Sequence, residues 1–269
     1  MQLGGKILAL TGAGSGIGRA LAVALAQKGA LLSLGDIDES AVAETASQVA
    51  ANGSDVLATA LDVADETAVS TFAADTLHRF GTVDGIINNA GAGLYGTVAE
   101  LTTAEIAWLM GVNFWGVVHG TKAFLPHLLA RPEALVVNVS SAFGIWGPPG
   151  NSAYAASKFA VRGFTESLRG ELTRSKVLVV TVHPGGIRTA IALKTRIAEA
   201  RDAAESQSTL RKFHDAFLRL TPEYAAAAIV RGLERDRERI LIGKDAKRID
   251  LLTRLSPVLA SRRFNRRSH

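Results

Sequence analysis

Tyr154 and Lys158 stand four residues apart in a stretch, Ser152–Arg174, whose residue spacing predicts a helix. At 3.6 residues per turn they share one face. The intervening Ala155, Ala156 and Ser157 are small enough for a flat ligand to pack closely. An ammonium near a phenol stabilises the phenolate and lowers its pKa from about 10 toward the range of a working acid/base. Such a pair arises often by chance and, alone, reads as a surface helix pair. A second pattern adds to it. Thr11-Gly-Ala-Gly-Ser-Gly-Ile-Gly18 follows a short apolar run and spaces Gly12, Gly16 and Gly18 as G-x-x-x-G-x-G. Glycines let the backbone turn sharply and approach a pyrophosphate, and the helix that follows offers unpaired N–H groups and a partial positive charge. Asp36 lies 18 residues past Gly18, close to where an acidic side chain accepts hydrogen bonds from an adenosine ribose. A carboxylate there repels a 2′-phosphate, and neither Ser15 nor Ile37 supplies a cation to attract one. The reading therefore favours NAD over NADP. The plainer alternative, an Asp capping the next helix, suits Asp38 better.

These groups need a scaffold that brings them together. Apolar runs at 7–11, 30–35, 56–61, 83–88, 134–139, 177–182 and 239–242 predict seven strands, and the stretches 17–29, 39–52, 65–80, 103–129 and 152–174 predict helices between them. Thr102 or Thr103 before Glu105 marks a helix start. The strands lack clean polar alternation, as strands covered on both faces do. Intervening helices imply parallel strands with right-handed crossovers. The expected fold is an α/β, doubly wound, Rossmann-like, mostly parallel seven-stranded sheet with helices on both faces, binding ligands beyond the carboxyl ends of its strands.

The chain has 269 residues, 48% hydrophobic and 20% charged, with no cysteine. Thiol nucleophiles, disulfides and Cys-ligated zinc are thereby excluded. The six histidines show no ligand spacing, so no metal is expected. The net charge of +5 is unevenly placed: residues 244–269 carry +6 and residues 1–243 carry −1. A basic stripe across the body, as a nucleic-acid binder needs, is not supported. No apolar run approaches the roughly 20 residues of a spanning helix and no signal peptide is visible, so a cytoplasmic protein is expected. The organisation reads as one catalytic domain, 1–243, with a substrate lid at about 188–220, followed by a basic extension, 244–269. In that extension Leu251, Leu252, Leu255, Val258 and Leu259 interleave with Arg254 and precede Arg262, Arg263, Arg266 and Arg267. Packing on the body or on a neighbouring subunit is favoured over a role on an anionic membrane.

Taken in order, Thr11–Gly18, Asp62-Val63, Asn88-Asn-Ala-Gly91, Asn113, Ser140-Ser141, Tyr154/Lys158 and Pro184-Gly185 resemble the motifs of the short-chain dehydrogenase/reductase family, classical type, over roughly residues 4–190. The resemblance implies hydride transfer between a nicotinamide dinucleotide and an alcohol or ketone. It implies a catalytic set of Asn113, Ser141, Tyr154 and Lys158. Tyr154 is the acid/base, Lys158 lowers its pKa and bonds the nicotinamide ribose, and Asn113 anchors a water on a proton path. Ser141, 13 residues before Tyr154, is the serine the family spacing selects, with Ser140 as runner-up. Cofactor contacts are implied for Gly12, Ser15, Gly16, Ile17, Gly18, Asp36, Asp62, Val63, Asn89, Ala90, Gly91, Tyr154, Lys158, Pro184, Gly185, Ile187 and Thr189, whereas Asn88 ties strands together. Homodimers or homotetramers through the helices at 103–129 and 152–174 are also implied.

Substrate selection is expected in the loops, where Leu94, Tyr95, Phe143, Ile145, Trp146 and Pro148 offer an apolar wall for a small-molecule alcohol or ketone. Ser141 and Tyr154 would hold its oxygen. Arg188 reads as solvated, and Phe213 and Phe217 are the large apolar residues of the lid. Three rival functions remain in view, an NADPH-dependent carbonyl reductase, a non-catalytic dinucleotide-binding regulator and a lipid enzyme recruited to a membrane surface by the tail. The intact Ser141, Tyr154 and Lys158 weigh against the second.

Overall fold

The computed structural model describes residues 1–189, 191, 194–202, 206, 208, 211 and 218–265. In chain order it holds β1 (Ile7–Thr11), α1 (Gly16–Ala26), β2 (Leu31–Asp36), α2 (Glu39–Ala51), β3 (Val56–Ala60), α3 (Glu66–Phe80), β4 (Gly85–Asn88) and β5 (Leu94–Tyr95). There follow α4 (Thr103–Met110), α5 (Gly116–Leu129), β6 (Ala134–Val139), α6 (Ser152–Glu171), β7 (Val177–Pro184), β8 (Arg196–Ile197), α7 (Pro222–Leu233), β9 (Arg239–Ile242), α8 (Lys244–Leu255) and α9 (Pro257–Asn265). Seven strands form one sheet in the order β3-β2-β1-β4-β6-β7-β9, and every pairing is parallel. The order reverses between β1 and β4, which opens a crevice beyond their carboxyl ends.

Every residue of β1, β4 and β6 is buried. Their side chains alternate between two cores. Leu8, Leu10, Leu135 and Val137 join Leu21, Leu25 and Ile229 on one face. Ile7, Ala9, Ala134 and Val136 join Phe72 and Phe124 on the other, those two rings meeting edge to face at 5.9 Å. Two apolar faces explain why the strands read as continuous apolar runs. Helix starts follow the local chemistry. Asp38 accepts from the Ala41 N–H at 3.0 Å, Asp65 from those of Thr67 and Ala68, and Thr102 and Glu105 form a reciprocal capping box.

The structure differs from the sequence reading in several places, among them the first helix, which ends at Ala26 and not at Gly29. The stretch 103–129 is not one continuous α-helix: Gly111–Trp115 forms a π-helical turn between α4 and α5, where one extra residue widens the coil. The helix at 152–174 ends at Glu171. Helix α7, started by Thr221 and Pro222, fills a stretch left unassigned. A short parallel ladder joins β5 to β8. Of the expected lid, residues 190, 192–193, 203–205, 207, 209–210 and 212–217, Phe213 and Phe217 among them, lie outside the described residues, as do Arg266 and Arg267. Residues 194–202 fold back on the body, where the Glu199 N–H donates to Glu105 Oε1 at 3.0 Å.

The carboxyl ends of β4 and β6 are joined by buried amides. Asn88 Nδ2 donates to Asn138 Oδ1 at 2.8 Å and to Thr121 Oγ1 at 3.2 Å, and Asn138 Nδ2 donates to Thr165 Oγ1 at 3.0 Å. Removing Asn88 leaves buried acceptors without a donor. Asn88→Ala is expected to cost roughly 1–3 kcal/mol, read as a lowered urea midpoint; an unchanged midpoint would show that the amide chain does not hold the strands.

Candidate active site

The glycine turn is fixed by its neighbours. Thr11 Oγ1 accepts from the N–H groups of Asn89 and Ala90, both at 3.1 Å. Asn89 Nδ2 donates to the Thr11 and Gly12 carbonyls, both at 3.0 Å. Gly12 has φ +65°, and a Cβ there would lie 2.6 Å from the Ala90 Cα, so only glycine fits. The Gly14 N–H donates to Asp36 Oδ2 at 2.7 Å, and Asp36 Oδ1 accepts from the Asp38 N–H at 3.0 Å. Arg19 grips the Gly14 carbonyl through Nε at 3.0 Å and Nη2 at 2.7 Å, and pairs with Glu44. Ser15 is extended and its side chain caps nothing, leaving the first turn of α1, Gly16 through Gly18, without a side-chain acceptor. A Cβ on Gly16 would lie 3.2 Å from the Thr189 side chain, so the segment after β7 reaches this turn. Asp62 is exposed and accepts from the Ala64 N–H at 2.9 Å. Val63 is buried beneath Gly116.

The other end of the crevice holds the hydroxyls. Ser140 and Ser141 point differently. Ser140 is buried and donates to the Lys158 carbonyl at 2.8 Å, tying β6 to α6. Ser141 starts a short 3₁₀ turn, Ala142–Gly144, accepts from the Phe143 N–H at 3.1 Å, and its hydroxyl acts on the Tyr154 phenol. Lys158 is 4% exposed and donates to the Val139 carbonyl at 3.1 Å. Its Nζ lies 5.9 Å from the Tyr154 ring centre. Asn113 sits in the π-helical turn, fully buried. Its Oδ1 accepts from the Ala92 N–H at 2.8 Å, and its Nδ2 donates to the Ala92 carbonyl at 3.1 Å and to Ser157 Oγ at 3.0 Å. A Cβ on Gly91 would lie 3.1 Å from Asn113 Oδ1 and 3.3 Å from Lys158 Nζ. The absence of that Cβ leaves both groups facing one small space.

Burial governs the protonation of the pair. It draws the Lys158 ammonium down to about 8. It pushes the Tyr154 phenol above its ordinary value, with the Ser141 hydrogen bond acting in the opposite direction. The lowering expected for Tyr154 is therefore not met in the chain alone: loss of water around the phenolate outweighs the help of a lysine that is itself desolvated.

Phe143 meets Tyr154 edge to face at 6.1 Å and Trp146 at 5.9 Å. Leu94 is buried with Leu101, Leu109 and Ala153, beneath Tyr154. Ile145 is buried with Ala142, Ala246 and Ile249, with Trp146 packed against them. Pro184 closes β7, and the Gly185 N–H donates to the Ile242 carbonyl at 2.9 Å. Ile187 is buried and bridges to Leu220. Arg188, exposed, donates to the Leu218 carbonyl at 3.0 Å.

Two residues of the site were not singled out from the sequence. Asp245, at the start of α8, accepts from the Gly186 N–H at 2.6 Å and so holds the Pro184–Gly186 turn. His183 is buried, with Nδ1 3.1 Å from the Ser141 carbonyl. Burial lowers its pKa to about 4, so the ring is neutral and Nδ1 carries the proton the carbonyl accepts. Its place directly before Pro184 is the one sequence signal that could have marked it. Among the described residues no group of three or more His, Asp or Glu side chains could hold a metal ion, and no helix is long and apolar enough to cross a membrane.

A family model described as short chain dehydrogenase matches residues 6–200. SadH of Mycobacterium tuberculosis, an oxidoreductase by name, is 46% identical over 254 residues, 93% of this chain and 91% of that protein. A short chain dehydrogenase/reductase from Burkholderia phymatum, solved in complex with NAD, matches with a TM-score of 0.88 at 31% identity, covering 96% of both chains. An alcohol dehydrogenase from the archaeon Thermococcus sibiricus, solved with 5-hydroxy-NADP, matches with a TM-score of 0.75 at 27% identity, covering 88% of this chain and 95% of that one.

The buried lysine carries a stability signature. Its folded value, about 8, lies below the ordinary 10.5, so between these values the unfolded chain binds more protons and stability of the unliganded protein rises with pH. Below pH 8 the folded chain bears the cost of a desolvated ammonium. Lys158→Met removes that cost and is expected to gain on the order of 2 kcal/mol at pH 7. The gain should shrink toward pH 10 in urea titrations. A gain independent of pH would contradict the assignment.

Proposed function

The chain belongs to the short-chain dehydrogenase family, and we propose that it is an NAD(H)-dependent oxidoreductase interconverting a secondary alcohol and a ketone, with Tyr154 as general acid/base. The observation that carries this reading is the Tyr154 ring 5.9 Å from the buried Lys158 ammonium, with the Ser141 hydroxyl acting on the same phenol, at the sheet end where the glycine turn and the start of α1 also lie.

The residues present fit a dinucleotide. Gly12, Gly14 and Gly18 pack so closely on Ala90, Asp36 and Gly12 that a Cβ would collide there, which fixes the tight turn, and the uncapped start of α1 suits a diphosphate. Asp36, anchored through Gly14, suits ribose hydroxyls. Asp62 and Val63 are assigned to the adenine, and Asn89, Ala90 and Gly91 to the ribose and nicotinamide. Pro184, Gly185, Ile187 and Thr189 would cover the carboxamide. The Burkholderia neighbour holds NAD and the Thermococcus neighbour an NADP analogue. In this chain Arg19 is engaged by Gly14 and Glu44, and the Asp36 carboxylate opposes a 2′-phosphate, which favours NAD. Bound in this crevice, NAD⁺ accepts a hydride and NADH supplies one.

Ser141 and Tyr154 hold the substrate oxygen between two hydroxyls. In oxidation the alcohol proton passes to the Tyr154 oxygen as the C–H hydride leaves; in reduction the phenol returns that proton to the carbonyl oxygen. Lys158 steadies the phenolate and the proton reaches solvent through Lys158, with Asn113 holding a water at the space beside Gly91. Phe143 and Trp146 form an apolar wall, and Leu94 supports Tyr154 from beneath. This suits an apolar alcohol or ketone.

A panel of secondary alcohols and ketones, followed by nicotinamide absorbance with both coenzymes, tests the reaction. Tyr154→Phe is expected to lower turnover by about 10²–10⁴-fold while NADH affinity stays within about twofold of the parent; near-parental turnover would overturn the acid/base assignment. Asp36→Ala should raise the NADP⁺-to-NAD⁺ ratio of kcat/KM by about tenfold, and an unchanged ratio would remove Asp36 from coenzyme choice.

A further inference from the structure

The C-terminal helices present two chemically different faces. The inner face of α8 is fixed to the body. Ala246 and Ile249 are buried against Ala142 and Ile145, Asp245 holds the Gly186 N–H, and Asp250 is gripped by Arg239 at 2.6 and 2.9 Å. The outer face is open. Leu251 is 58% exposed and Leu255 74%, and beyond Ser256 Val258 at 62% and Leu259 at 64% extend the patch onto α9. At 100° per residue, Lys247 and Arg254 flank the Leu251–Leu255 line on one side and Arg248 on the other. All three are exposed, as is Arg262. Asp245 is held by the Gly186 N–H, and Asp250 is shared between Arg239 and the exposed Arg254, whose Nε donates to it at 3.2 Å; Lys247, Arg248 and Arg262 leave the outer field cationic.

We propose that this face docks the protein on an anionic lipid surface, with Leu251, Leu255, Val258 and Leu259 entering the headgroup–acyl boundary and Lys247, Arg248, Arg254 and Arg262 meeting lipid phosphates. An apolar line between cationic flanks is the pattern of an interfacial helix, whose long basic side chains reach outward to the headgroups. Each cation near such a surface adds about 1 kcal/mol. The charge distribution selects the occupant. Residues 244–269 carry +6 and the remainder −1, so attraction to an anionic surface is concentrated at this end of the chain. A second copy docking face to face would bring like charges together. The inner face of the helix that bears the patch backs the Ala142–Ile145 turn beside Tyr154. This inference is independent of the coenzyme assignment.

The test uses the full chain, co-sedimented with vesicles of phosphatidylglycerol and phosphatidylcholine and with vesicles of phosphatidylcholine alone. Binding to the anionic vesicles should exceed binding to the neutral ones by about tenfold and fall at high salt. The double variant Leu251→Ser/Leu255→Ser should lose about tenfold in binding, as should Lys247→Glu/Arg248→Glu, with melting temperatures and circular dichroism unchanged. No binding by the parent, or equal binding by the parent and the folded variants, would overturn the proposal. So would a dimer in sedimentation velocity that these variants dissociate while vesicle binding persists, since the face would then belong to a second copy.

Discussion

The site is organised around an ammonium held out of water. Lys158 is 4% exposed and its ammonium donates to the Val139 carbonyl. A lysine buried this way favours its neutral form, which is why burial draws it down to about 8. Its neighbours are arranged to hold the side chain regardless. Ser140 fixes the Lys158 carbonyl, Gly144 makes room for that carbonyl where a Cβ would strike it, and Gly91 leaves open the space the ammonium faces. An electron-rich partner placed in that space, a phenolate or a ribose hydroxyl, would restore the charged form. The unliganded chain therefore holds a lysine and a tyrosine that are both poised toward neutrality.

The same crevice depends on links between strands that are distant in sequence. Thr11 and Asn89 lock the ends of β1 and β4, while Asn88 and Asn138 lock β4 to β6 and pass the connection to Thr165 on α6. Each link uses a side-chain amide or hydroxyl where the apolar sheet ends, because backbone groups leaving the ladder need partners. The glycine turn and the Tyr154 face are therefore tied through two short polar chains rather than through the hydrophobic cores alone. His183 and Asp245 extend this to β7 and α8, positioning Ser141 and the Pro184–Gly186 turn.

The parallel sheet was legible because strands buried on both faces leave continuous apolar runs, and the helix starts were legible because Asp38, Asp65 and Thr102 are capping residues. The glycine turn showed in its spacing, whereas the Tyr154–Lys158 pair stood out only together with the other motifs in order. The π-helical turn did not: Gly111–Trp115 contains nothing that breaks a helix, and the extra residue is set by packing of Asn113 against Ala92 and Ser157. The family spacing chose Ser141 over Ser140, but the physical reason they differ lies in the backbone turn after β6, which directs Ser140 to the Lys158 carbonyl. The phenol's upward shift was hidden for a similar reason. A sequence displays the neighbouring lysine but not the removal of water around both groups. Asp245 was assigned to a basic extension because charge was summed along the chain, where its hydrogen bond to Gly186 is invisible.

That last point changes how the C-terminal segment is understood. Its inner face shares a cluster with Ala142 and Ile145 and its first turn holds Gly186, so α8 belongs to the packing of the site as much as β7 does. The Arg239–Asp250 pair, with Arg239 at 20% and Asp250 at 12% side-chain exposure, fastens the helix further. Removing residues 244–269 would expose Ala142 and Ile145, release the Pro184–Gly186 turn and leave the Arg239 guanidinium without its carboxylate. Loss of function in such a truncation would follow from disrupted packing whatever the outer face does. Substitutions confined to Leu251, Leu255, Lys247 and Arg248 leave the inner contacts in place. The two roles of the helix are separable because its buried and exposed residues occupy opposite sides of the same coil.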